Sequence, residues 1–127
     1  MPTFRKHEHV LSPADFQRIY DRRKSAADAD MIVYVKENGL AYSRLGLSVS
    51  RKYGGAVQRN RLRRLYREAF RLSKELIAPG LDLVLIPRTN AEPTLDGVKR
   101  SLTKLVKQAH KKLLRDGGPK PESEASA

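Results

Sequence analysis

The segment Leu81-Asp82-Leu83-Val84-Leu85-Ile86, set between Pro79-Gly80 and Pro87, constrains the fold more than any other part of the chain. Its apolar run is short enough for a buried strand, and Pro87, which cannot donate to a ladder, stops it. Helical periodicity stands on both sides. Upstream, Leu62, Leu65, Ala69, Leu72 and Leu76 recur at spacings of 3, 4, 3 and 4, the period of an amphipathic helix, and Pro79-Gly80 ends that run. Downstream, Thr94 supplies a helix cap, and Leu95, Val98, Leu102, Leu105, Val106, Ala109 and Leu113 form a second stripe.

Nearer the N-terminus, Ser12-Pro13-Ala14-Asp15 predicts a helix start. Ser12 can accept from the freed N–H groups, Pro13 suits the first turn and Asp15 favours the positive end, so a short helix should run to about Arg23. Met31 to Val35 is β-branched and aromatic, and Asn38-Gly39 tolerates positive φ, which predicts a hairpin. Its return strand, Tyr42 to Ser50, alternates Leu45, Leu47 and Val49 on a core face with Arg44, Gly46, Ser48 and Ser50 on a wet one. The order is αββαβα at least. At 127 residues there is room for one core. We expect a single domain over residues 1–116 and a flexible tail over 117–127, where proline, glutamate and serine have nothing to bury.

Lys and Arg total 26 against 14 Asp and Glu, a formal charge of +12, which marks a polyanion partner. Nucleic acid is the first reading and a membrane surface the second. There is no cysteine, and the three histidines are scattered, so a fold built on disulfides or thiolate-bound metal is excluded. Apolar runs such as Leu83 to Ile86 are far too short to span a bilayer. A cytoplasmic chain with no membrane partner is expected. The charge is concentrated: Arg51, Lys52, Arg59, Arg61, Arg63, Arg64, Arg67 and Arg71 face Glu68 alone between positions 51 and 71.

The arginine-rich helix opens, in this reading, at Arg59-Asn60-Arg61. Stepping about 100° per residue with Leu65 at zero puts Arg59, Arg63 and Arg67 at about 120°, 160° and 200°, with Asn60 at about 220° and Arg64 at about 260°. They share the face opposite the leucines. Arg61 falls near the apolar edge and is expected to reach along the helix end. Such a stripe can be a plain solvated face held by i, i+4 ion pairs, but Glu68 and Glu75 cannot neutralise so many arginines. Guanidinium groups fork onto phosphate oxygens and stack on bases, which favours RNA.

The stretch from Arg44 to Glu68, with its Gly55-Ala56-Val57 step and its Arg59-Asn60-Arg61 motif continued by Arg63, Arg64 and Arg67, resembles the signature of the bacterial ribonuclease P protein subunit. The likeness covers about Arg5 to Leu114. It implies an α+β two-layer sandwich of αβββαβα order on a sheet of about four strands. It also implies a left-handed βαβ crossover, a fold like the second domain of a small-subunit ribosomal protein; general chirality rules alone favour the opposite hand.

By the same resemblance, Arg59, Asn60, Arg61, Arg63, Arg64 and Arg67 contact a catalytic RNA subunit. The sheet and first helix would form a cleft for the single-stranded 5′ leader of precursor tRNA. Phe16, Tyr20 and Tyr34 can offer flat faces to bases there, although Phe16 would serve a core equally well. Arg44, Ser48, Ser50, Arg51 and Lys52 would add polar and phosphate contacts along the wet strand.

A protein nuclease needs clustered carboxylates for Mg²⁺ or a histidine paired with a base. Neither pattern is present. Asp82 stands alone in its apolar strand, Asp15 belongs to a helix start, and His7-Glu8-His9 reads as a surface arm rather than a metal site. No catalytic side chain is expected. The resemblance implies that Mg²⁺ is held by the RNA subunit and substrate, and that this RNA performs the hydrolysis, with no obligate protein partner. Two rivals differ in kind: a structural RNA-binding protein of ribosomal type would not need the aromatic set, and a free-standing ribonuclease would need the missing carboxylates.

Overall fold

A computed structural model describes residues 12–88 and 93–116. The Ser12 hydroxyl accepts the Asp15 N–H at 3.0 Å and starts helix α1 (Pro13–Arg22), while Arg23, at φ 59°, closes it in the left-handed region. Strands β1 (Lys24–Ala27), β2 (Met31–Glu37) and β3 (Arg44–Leu47) follow, then helix α2 (Ala56–Ser73), strand β4 (Leu81–Pro87) and helix α3 (Leu95–Arg115). This is the αβββαβα order. Thr94 caps α3 as expected, its hydroxyl accepting the Gly97 N–H at 3.1 Å.

The four strands lie in the order β1-β2-β4-β3. β4 is antiparallel to β2, pairing Val33 with Leu85, and parallel to β3, pairing Arg44 with Asp82. The expected hairpin between β2 and β3 is therefore not formed. The apolar β4 takes the central place between them, where both its edges and both its faces are covered; Leu81 to Leu85 are all buried. Asn38-Gly39 still turns the chain, with Gly39 at φ 72°, but it begins a wider loop that crosses the end of β4. Asn38 organises that crossing: its N–H donates to Gly80 O at 2.9 Å and its side-chain amide to Tyr42 O at 3.1 Å. Gly80 sits at φ 81°, and a Cβ there would meet Leu40 O at 3.2 Å, so this junction requires glycine. The true hairpin is β1–β2, whose turn is held by Asp28 Oδ1 accepting from Asp30 N at 2.8 Å and Met31 N at 3.1 Å.

Period-two alternation divides the sheet between two layers of side chains. Val33, Val35, Leu83 and Leu85 pack with Tyr66, Phe70, Leu102 and Leu105, so α2 and α3 cover one face of this α+β sheet. Tyr34, Val84 and Ile86 point to the other face, where α1 lies across with Ile19 fully buried. The leucine stripe of α2 is not where its spacing put it. Tyr66, Ala69, Phe70 and Ser73 are buried with Leu62, whereas Leu72 and Leu76 are 37% and 63% exposed. Two aromatic rings bury more area than two leucines, so they turn the helix toward themselves. His7-Glu8-His9 and residues 117–127 lie outside the described residues.

Candidate nucleic-acid interface

Helix α2 starts at Ala56, three residues before the expected opening, after a 3-10 turn at Arg51–Tyr53 and Gly54 at φ 117°. Gly55 stands at the cap position with no side-chain hydrogen bond, and no acidic residue lies in the first turn. The first N–H groups thus point outward with their partial positive charge unopposed, among exposed Arg51 and Lys52. That end is suited to a phosphate.

Because the helix is turned toward Tyr66 and Phe70, its outward face is also turned. Asn60, Arg61, Arg64 and Arg67 are exposed, and Arg59 and Arg63 lie half-buried along one border. Arg61 therefore belongs to the outer face rather than to the apolar edge. Arg63 donates to Asn60 Oδ1 at 2.9 Å, which holds two members of the motif in one arrangement. Arg59 Nε is buried without a hydrogen-bond partner, a donor left for an incoming acceptor. One turn further, Arg71 forks onto Glu68 at 3.0 and 2.5 Å, and this arginine holds the Glu68 carboxyl below its usual range. Glu68 is thereby engaged at the far end of the face, away from Arg59 to Arg64.

The aromatic candidates come together on the opposite side of the sheet. Phe16 and Tyr20 of α1 approach at 6.4 Å between ring centroids, and Tyr20 meets Tyr34 of β2 edge-to-face at 5.0 Å. All three are half-buried over a floor of Ile19 and Val84. Burial raises the Tyr20 hydroxyl above its ordinary pKa, and the nearby Ser48 side chain, beyond the end of β3, partly opposes that rise. From Ser48 the chain leads through exposed Ser50, Arg51 and Lys52 to the open end of α2, joining cleft to arginine face. The Ser50 hydroxyl accepts the Lys52 N–H at 3.1 Å and so caps the intervening turn.

Arg44 is built differently from the others. Its guanidinium donates to Asp82 Oδ1 at 2.8 Å and to Oδ2 at 2.6 Å, and Asn38 adds a third bond to Oδ1 at 2.9 Å. Asp82, alone in its strand by sequence, is therefore a buried acceptor satisfied from two neighbouring segments. Sequence reasoning missed this clamp because its partners stand 38 and 44 residues away. A single acid inside an apolar run was the available signal, since a buried carboxylate must find a cation or donors.

Among the described residues, no group of three or more histidines and carboxylates could hold a metal ion, and no helix is long and apolar enough to cross a membrane. A family model described as ribonuclease P matches residues 4–110. The ribonuclease P protein component of Clostridioides difficile is 39% identical over 107 residues, covering 83% of this chain and 94% of that protein. That of Thermotoga petrophila is 44% identical over 86 residues, covering 68% and 74%. Among solved structures, the Thermotoga maritima ribonuclease P protein superposes with a TM-score of 0.72 at 36% identity, over 79% of this chain and 96% of that one. The Staphylococcus aureus protein gives 0.69 at 37% identity, over 79% and 93%.

Proposed function

The chain belongs to the ribonuclease P protein family, and from that premise we propose that it is the protein subunit of a tRNA-processing ribonucleoprotein, holding the catalytic RNA with α2 and the precursor tRNA leader in the aromatic cleft. The observation that carries this reading is the pairing of two unlike surfaces. One is an arginine face with few carboxylates and an open helix end. The other, across the sheet, is a half-buried aromatic set.

Asn60, Arg61, Arg64 and Arg67 take phosphate oxygens of the RNA subunit, and Arg59 and Arg63 complete the border of that contact. Phe16, Tyr20 and Tyr34 take unpaired leader bases by stacking, worth about 1 to 3 kcal/mol per base and indifferent to sequence, which suits a leader that differs between tRNAs. Ser48, Ser50, Arg51 and Lys52 guide its backbone from the cleft toward α2. Arg44 shapes the cleft wall through Asp82 more than it binds phosphate.

Phosphodiester hydrolysis falls to the RNA, with Mg²⁺ held by RNA and substrate. The protein positions the leader and screens the repulsion between the two RNAs. Cleavage of precursor tRNA is measured with protein alone, with cognate RNA alone at low Mg²⁺, and with both. Cleavage only by RNA, and faster with protein present, is expected. If added protein leaves the rate unchanged, a structural RNA-binding role replaces this one; cleavage by protein alone indicates a nuclease.

A further inference from the structure

Helix α3 carries a second cationic surface, used neither by the arginine face nor by the cleft. Its core stripe lies against the sheet, and on the opposite side Arg100, Lys104, Lys107, Lys111 and Arg115 are all exposed. Their spacings of 4, 3, 4 and 4 place them in one line, about 22 Å long at 1.5 Å per residue. After Asp96 the helix contains no acid, and only Lys104 among the five has a carboxylate partner among the described residues, Asp28 at 3.2 Å. Every neighbouring pair in the line is a like-charge pair at i, i+3 or i, i+4, an arrangement that works against the helix unless an anion offsets it.

The line borders a groove of about 540 Å³ between the end of α2 and α3. Ser73 and Leu76 stand on one side, and Lys99, Arg100, Lys104 and Lys107 on the other. Leu76 is 63% exposed, and the buried Ser73 hydroxyl has no hydrogen-bond partner.

We infer that this face of α3 is a second RNA-binding surface, which takes the ribose-phosphate backbone of a strand along the line of five cations without reading its sequence. Cations about 4.5 to 6 Å apart along a straight helix are spaced like neighbouring phosphates on a strand. The groove beside them, apolar below and cationic at its rim, admits an unpaired nucleotide at one end of that line. A protein interface is depleted of charge at its core, above all of lysine, so Lys99, Arg100, Lys104 and Lys107 around the groove suit a polyanion better. The inference does not rest on the roles given to α2 and the cleft: α3 packs beside α2 on one face of the sheet, with its cations on a separate helix, and the cleft lies on the other face.

The test uses the full chain and a 20-nucleotide oligouridylate. The triple variant Arg100→Ala, Lys107→Ala, Lys111→Ala should bind with a salt slope lower by about 2, or roughly 0.7 per lost contact on a single strand. Replacing the same three positions by the other cation, R100K, K107R and K111R, should restore it. The chain has no cysteine, so a photoreactive label on Lys107→Cys reports this face alone. It should cross-link the RNA at low salt, and cross-link it clearly less when Arg100→Ala and Lys111→Ala are added to the labelled chain. An unchanged slope, or equal cross-linking with and without those two cations, overturns the inference. The variant Arg64→Ala, Arg67→Ala is titrated beside it, so a failure of the α2 assignment is seen separately. Removing like charges should leave the thermal midpoint of the α3 variant no lower, so misfolding is recognised if it occurs.

Discussion

Arg67 and Arg71 stand one turn apart on α2, yet an RNA would meet them differently. Arg67 is exposed without a carboxylate partner among the described residues, while Arg71 is forked onto Glu68. Arg67→Ala should lower the salt slope for the catalytic RNA by roughly 0.7 to 0.9, the value of one phosphate contact, and Arg71→Ala by clearly less. Equal losses would mean that the Glu68 pair opens on binding. The residue types of this face were legible in the sequence; its exact direction was not. A helical wheel centred on leucines put Arg61 at the apolar edge, and the burial of Tyr66 and Phe70 moved it outward. Periodicity gives a stripe's spacing, but which flank faces inward depends on how much area each ring or chain buries.

At the scale of elements, β4 explains most of the topology. Its continuous apolar run was legible as a buried strand, and its central position follows from that. The β2–β3 hairpin was misread because Asn38-Gly39 is a local signal, while β4 pairs with β2 and β3 across 38 residues or more. Asp82 is the polar element of that pairing. Asp82→Ala should destabilise the fold by roughly 2 to 3 kcal/mol, below the usual cost of breaking a fully buried pair because Arg44 keeps a quarter of its side chain in solvent. Denaturant unfolding measures it; a loss under 0.5 kcal/mol, roughly the range of an ordinary surface substitution, would show that the clamp is dispensable.

A second pair gives the sheet a pH dependence. Arg22 of α1 forks onto Glu37 of β2 at 3.0 and 3.2 Å. Burial opposes the charge on Glu37, but the bonds from Arg22 prevail and hold its carboxyl below the usual 4.5. The folded state thus binds this proton less readily than the unfolded chain, so its stabilisation is full above about pH 4.5 and disappears as pH falls through the lowered value. Glu37→Gln should cost about 1 kcal/mol at pH 7 and almost nothing at pH 2.5. A difference that persists at pH 2.5 would assign the effect to packing instead.

At the scale of the whole molecule, the sheet separates two surfaces that no single stretch of sequence contains. The arginine face is contiguous in the chain and stands out from composition alone. The cleft is assembled from α1, β2 and the end of β3, so Phe16, Tyr20, Tyr34 and Ser48 become neighbours only when the sheet forms. Nothing local says that these aromatics are half-buried rather than core, which is why the resemblance had to supply the cleft. The cationic line on α3 was legible in the residues but was hidden behind the apolar stripe of the same helix.

The division of labour between two faces is the central claim, and one comparison tests it most directly. The affinity of the assembled protein and catalytic RNA is measured for precursor tRNA and for mature tRNA, with the native chain and with Tyr34→Ala. The native complex should hold the precursor more tightly, and Tyr34→Ala should shrink that difference by about 1 to 3 kcal/mol while leaving mature tRNA binding unchanged. Equal weakening of both tRNAs, or no preference for the precursor in the native complex, would contradict the assignment of the leader to this cleft.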